Sequence, residues 1–219
     1  MTTGRESADR QDPVSGTKAS EPSPLVKLKR IGREEKKRLV VLTARRLFVE
    51  LGYHNVSIPA IVKTSGVSTG AIYSYFPNKE ALAATIHEQT LEDFHTRFLQ
   101  RLEGREATCD KLRAFAEVVF ELTEQEPELM EYLLFMRHGE FMQGCSPICF
   151  TRPFQLVQAI LKEGVERGDI LSDEFFVAGI AFTGVILRAS ELRLKCVLDK
   201  PLPEISEQLI AHAWKAISA

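Results

Sequence analysis

Several classes of protein are excluded by what this sequence has little of. It holds four cysteines and one tryptophan in 219 residues. So few thiols do not make a disulfide framework, and a reducing compartment, the cytoplasm, is the expected setting. No uninterrupted run of about 18 apolar residues occurs, so no membrane association is expected. The opening stretch MTTGRESADRQDPVSG has no apolar centre, and a secretory leader is not expected. The signatures G-x-S-x-G, H-E-x-x-H, G-x-G-x-x-G and the Walker loop are missing. Histidines 54, 87, 95, 138 and 212 are scattered, with only His87 and His95 at helical spacing. The acidic stretch Glu121–Glu131 reads as a solvated face. No catalytic residue, resident metal or cofactor is expected, and the chain is not read as an enzyme.

What is present divides by charge. The net charge of -2 hides 11 basic against 4 acidic residues between Leu25 and Glu80, and 14 against 22 from Ala81 onward. A basic front joined to an acidic body suits a front that meets a polyanion such as nucleic acid, or one that merely presents a solvated face. With 44% hydrophobic residues the chain can bury one substantial core, or a small and a larger one.

Residues 1–24 carry prolines, glycines and short polar side chains with almost nothing to bury, and read as disordered. Seven cationic residues follow between Lys27 and Arg38. From Val40 the pattern is helical: Val40, Ala44, Leu47, Phe48 and Leu51 share a face, and Gly52 closes it. Ser57 suits an N-cap with Pro59 in the first turn. Ile58, Ile61 and Val62 give that helix its apolar face, and Thr64–Val67 breaks it around Gly66. Ser68 caps a second short helix through Tyr75. Two short helices joined by a glycine-containing turn make a helix-turn-helix. Helical periods continue over Lys79–Leu102, Leu112–Leu122, Leu129–Met136, Pro153–Arg167, a long run after Ser172–Glu174 to about Cys196, and a last stretch with Ile205, Leu209, Ala213 and Ile217. No segment sustains strand alternation, so the fold class is all-α.

The stretch VVLTARRLFVELGYHNVSIPAIVKTSGVSTGAIYSYFPNKEAL, residues 40–82, resembles the DNA-binding domain of the TetR/AcrR family of bacterial transcriptional regulators. Ala44, Leu47–Phe48, Gly52–Tyr53, Ser57, Ile61, Gly66–Val67–Ser68, Gly70, Ile72–Tyr73, Tyr75–Phe76, Lys79–Glu80 and Leu82 carry the match. The resemblance implies residues 1–32 as a basic-ended arm, 33–93 as the DNA-binding domain, and 94–219 as a helical ligand-binding and dimerisation domain. It further implies a repressor released from a near-palindromic double-stranded DNA operator by a small effector. One departure is Lys63, where the family commonly has alanine; it adds a phosphate contact or nothing.

The residues support this reading on their own terms. A recognition helix approaching base edges needs small side chains, which Ser68, Thr69, Gly70 and Ala71 provide. Ser57, Lys63, Tyr73, Ser74, Tyr75 and Lys79 are flanking donors for phosphates. The resemblance places backbone contacts at Tyr73, Tyr75 and Lys79; alternatively the two tyrosines cover the small core. The arm Lys27–Arg30 suits a minor groove or is a solvated linker. No Arg, Asn or Gln lies between Ser68 and Tyr75, so shape readout is expected to share in specificity.

In the body, Phe115, Leu122, Met130, Leu134, Phe141 and Phe154 belong to an aromatic- and methionine-rich zone, read either as the lining of a pocket for a mainly apolar small molecule or as plain core. The last two helices mix small and apolar residues, and the resemblance pairs them with their copies in a homodimer; packing within one chain is the alternative. Cys145 and Cys149 form a C-x₃-C on a loop near His138, the basis of an alternative reading as a thiol- or metal-responsive regulator on the same scaffold. The fourth helix, Lys79–Leu102, is expected to be the lever between effector and DNA, with Phe94 and Phe98 reaching the body.

Overall fold

Prolines, glycines and short polar caps set the ends of the helices. The computed structural model describes residues 32–142, 144, 147–171 and 174–219. The arm, Cys145 and the Ser172–Asp173 helix start fall outside the described residues. Nine α-helices occur among those described: α1 (Arg33–Leu51), α2 (Ile58–Ser65), α3 (Thr69–Tyr75), α4 (Lys79–Leu102), α5 (Thr108–Gln125), α6 (Pro127–Phe135), α7 (Arg152–Glu166), α8 (Phe175–Leu194) and α9 (Leu202–Lys215). They contain no strand, only an isolated bridge between Ile170 and Ser218. The fold is all-α. The helix starting near Val40 begins seven residues earlier, because the charged turn Arg33–Leu39 is already helical.

Two cores divide the molecule, and α4 threads both. Val40, Ala44 and Phe48 of α1 close over Ile61, Ile72 and Phe76, with Leu82, Ala83 and Ile86 from the start of α4. Further along α4, Phe94 and Phe98 enter the larger core with Phe115, Leu122, Leu161, Phe182 and Ile210. Its centre is aromatic: the Phe115 ring meets Phe94, Phe98 and Phe154 edge-on at 6.0, 5.7 and 5.7 Å. Gly164 lets α7 approach α5, since a Cβ there would stand 2.6 Å from Thr108 Cγ2. Glu124 of α5 ties α8 to α9: it accepts from Arg193 at 2.8 and 3.0 Å and from the Leu202 N–H at 2.9 Å.

The seam between the cores carries both an aromatic and a charged crossing. Tyr132 of α6 is fully buried in the front core, its hydroxyl donating to the Ala83 carbonyl. Arg45 of α1, 6% exposed, lies 3.9 Å from Glu126, whose carboxylate also pairs with Arg97 of α4. Burial lowers the Arg45 pKa, and Glu126 opposes that shift.

Helix α8 turns Ala178, Phe182 and Ile186 inward and leaves Phe176, Val177 and Ile180 exposed. By length and composition alone it is apolar enough to cross a membrane. Its inner face instead packs on α5, α7 and α9.

Candidate DNA-binding surface

The helix-turn-helix is built by caps. Ser57 Oγ accepts from the Ala60 N–H at 3.3 Å and Ser68 Oγ from the Ala71 N–H at 3.4 Å. Both hydroxyls act as acceptors here, which leaves their O–H donors for a phosphate. Pro59 sits in the first turn of α2. Gly66, at φ +71°, caps α2 in the left-handed region, its N–H donating to Val62 at 2.9 Å. That one glycine turns the chain into α3.

Helix α3 buries Ile72 and presents the opposite side. Ser68, Thr69, Gly70, Tyr73 and Ser74 are exposed, and Ala71 and Tyr75 are half-buried. Nothing lies within 4 Å of a Cβ built on Gly70, so the first turn of α3 is a bare, narrow edge. Lys63 on α2 and Ser57 are exposed beside it. The Ser74 hydroxyl donates back to the Ala71 carbonyl at 2.7 Å, which commits the donor expected for phosphate to the helix itself. Arg33 lies over the Tyr75 ring, 5.6 Å from its centroid. The basic N-terminal end of α1 is thereby brought against the end of α3.

Lys79 is placed differently from the free flanking donor expected of it. Its ammonium donates to the carbonyls of Tyr53 and Val56, both at 3.0 Å, and stands 4.0 Å from the centre of the Tyr53 ring. Two of its three N–H donors therefore hold the loop between α1 and α2, and one is left. The Tyr53 hydroxyl donates to Glu80 at 3.2 Å; burial, then Glu80, pushes the phenol up to about 12. Lys79→Met is expected to destabilise the fold by about 2 kcal/mol, the scale of charge-assisted hydrogen bonds at a half-buried site. It is also expected to flatten the salt dependence of DNA binding by about one phosphate contact. Urea unfolding and salt titration check both; unchanged stability would make Lys79 a surface clamp only.

Five of the six expected pocket residues gather in or against the larger core, and Phe141 does not. Phe115, Leu122 and Met130 are buried in the larger core, and Leu134 packs against it. Phe154, beside them, lines a narrow apolar cavity of about 80 Å³ against α8. Phe141 leaves the body altogether and stacks on Tyr53, centroids 4.1 Å apart and planes 13° from parallel. A larger cavity, about 480 Å³, opens between α4 and the segment leading into α7, lined by His87, Leu91, Glu92, Met142, Phe150 and Arg152 among others. Sequence reasoning placed Met142 and Phe150 in the aromatic- and methionine-rich zone but missed Leu91, because the cavity forms between segments about sixty residues apart. Among the described residues no group of three or more side chains suits a metal ion; Cys109 is half-buried and Cys196 exposed.

Against this cavity His87 and His138 face each other, ring centroids 4.5 Å apart, with Tyr132 4.8 Å from His138. Burial, then His87, pushes the His138 imidazole down to about 4, and burial lowers His87 too. A folded pKa below the unfolded value of about 6.5 gives a contribution fully present above pH 6.5 and lost as pH falls towards 4. Between pH 7 and 4.5 His138 should cost the fold about 2–3 kcal/mol. Urea unfolding at both pH values should show a smaller acid loss in His138→Phe; an equal loss would remove His138 from the account.

Residues 40–86, the helix-turn-helix with the helices that flank it, match the family model described as bacterial regulatory proteins, tetR family. This segment is a TetR-type DNA-binding module. Over 66 residues (30% of this chain) it is 39% identical to an uncharacterized HTH-type transcriptional regulator, YuxN, of Bacillus subtilis, spanning 23% of that protein. Similarity to the fatty acid metabolism regulator protein of Bacillus subtilis runs further, 25% identity over 134 residues, 60% of this chain and 69% of that one. The fold is shared with the crystal structure of the transcriptional regulator FadR from Bacillus subtilis in complex with stearoyl-CoA. That likeness has a TM-score of 0.64 at 20% identity, covering 80% of this chain and 96% of that chain. The TetR-type module thus coincides with the front core, and the helical body follows the same architecture beyond it.

Proposed function

We propose that this chain is a dimeric repressor that holds a near-palindromic operator with α3 of each protomer and releases it when a mainly apolar effector enters the body. The observation that carries the DNA reading is the first turn of α3, exposed and without bulk at Gly70, between flanks that carry Lys63 and the basic start of α1. Serine and threonine hydroxyls and an alanine methyl reach base edges; the capping serines, Tyr73 and Tyr75 reach phosphates. A regulator of this kind works in the cytoplasm, where the DNA is, and performs no chemistry on its ligand.

Dimerisation through α8 and α9 is supported by the exposed apolar row Phe176, Val177 and Ile180, whose burial against a second copy removes apolar surface from water. For the effector, the cavity of about 480 Å³ falls within the range of ligand sites. It has Arg152 and Glu92 at its rim, and Leu91, Met142 and Phe150 in its lining offer apolar surface to a chain. The relative solved with stearoyl-CoA makes a long-chain acyl thioester the first effector class to test. Operator binding titrated with stearoyl-CoA and with acetyl-CoA tests it. Release by the long chain alone is expected; equal response, or none, would remove the acyl effector.

A further inference from the structure

The short segment between α6 and α7 touches both the cavity and the DNA-binding domain. Met136 and Phe141 pack against the front core rather than the body from which they emerge. The Phe141 ring lies flat on Tyr53. Tyr53 is the residue whose ring and carbonyl hold the Lys79 ammonium and whose hydroxyl reaches Glu80. On its other side Phe141 is 5.9 Å from His138, which stands against His87. The next residue, Met142, lines the large cavity with His87 and Leu91. Five consecutive residues, 138–142, therefore connect the cavity wall to the joint of α1, α2 and α4.

We propose that Phe141 is the positioning residue through which occupancy of the cavity reaches the helix-turn-helix, a coupling that rests on the effector reading above. The α4 lever is an unbroken helix of 24 residues and can only tilt as one body. The segment 138–142 holds a single 3₁₀ turn, so it can shift without breaking helical hydrogen bonds, and the aromatic stack transmits that shift directly to Tyr53. An element that contacts both sites and has two arrangements is what coupling requires.

The test needs no identified effector. Leu91→Trp places bulk in the cavity. Operator affinity is measured for wild type, Leu91→Trp, Phe141→Ala and the double variant, with Phe141→Tyr as the conservative replacement and Phe141→Leu keeping apolar bulk without the ring. Leu91→Trp should weaken operator binding roughly tenfold, on the scale of usual coupling energies. Most of that effect should vanish in the Phe141→Ala and Phe141→Leu backgrounds and persist with Phe141→Tyr. No effect of Leu91→Trp in the wild-type background, or the same effect in every background, overturns the proposal. Amide hydrogen exchange at residues 53–56 and 79–82 gives a second readout that does not depend on DNA. Exchange should quicken in Leu91→Trp and in Phe141→Ala, with the double variant no faster than Phe141→Ala alone; unchanged or additive exchange overturns the proposal. If the wild type fails to bind an operator or to answer stearoyl-CoA, the functional reading fails while the exchange result still decides the role of Phe141.

Discussion

Gly70→Leu should reduce sequence-specific DNA binding to the non-specific level, a loss of roughly 10³-fold or more, while the protein becomes slightly more stable. The two effects have opposite signs for one reason. Gly70 is exposed in the first turn of α3, and a Cβ there meets nothing within 4 Å, so the folded chain accepts a side chain freely. Leucine favours a helix over glycine by about 0.8–1 kcal/mol, and the thermal midpoint should rise. Against DNA the same side chain stands between α3 and the floor of the groove. Operator and random duplex are titrated in parallel, with thermal unfolding of the same samples. Retained specificity would mean that another element reads the bases.

Phe115→Ala should produce the largest loss of stability, about 3–5 kcal/mol, a large share of what a domain of this kind possesses. Phe115 has no exposed surface and meets three other phenylalanine rings. Its removal leaves a void that α4, α5 and α7 cannot close without moving together. At a temperature where the variant is still folded, operator affinity should be near wild type, because the front core is separate. Chemical unfolding decides the point. A loss below about 1 kcal/mol would mean that Phe115 lines an adaptable pocket, as the sequence reading allowed.

The front module was legible in the sequence because its signals are local. Capping serines at Ser57 and Ser68, Pro59 in a first turn and Gly66 at a left-handed position each act within four residues of themselves, and each is observed in that role. Helix α4 was legible from end to end for the same reason, with Asn78 capping its start. The side-chain partners were not legible. Lys79 reads as a cation beside a recognition helix; that it spends two donors on carbonyls 23 and 26 positions earlier depends on how the 3₁₀ turn Tyr53–Asn55 is packed. Phe141 reads as one aromatic among many, and only the path of the chain after α6 brings it to Tyr53. Composition identified an aromatic zone, but it does not distinguish a packed cluster such as Phe94, Phe98, Phe115 and Phe154 from a cavity wall, since the same residue types serve both.

Selection of duplexes from a random library by the full chain tests the central claim most directly. A dimer presenting α3 twice should enrich a near-palindrome whose half-sites lie one helical turn apart, about 10–10.5 base pairs, or a multiple of that. The Gly70→Leu variant run beside it should enrich nothing. Enrichment of no sequence by the wild type, or of the same sequence by both proteins, would contradict the assignment of α3 as the element that reads DNA.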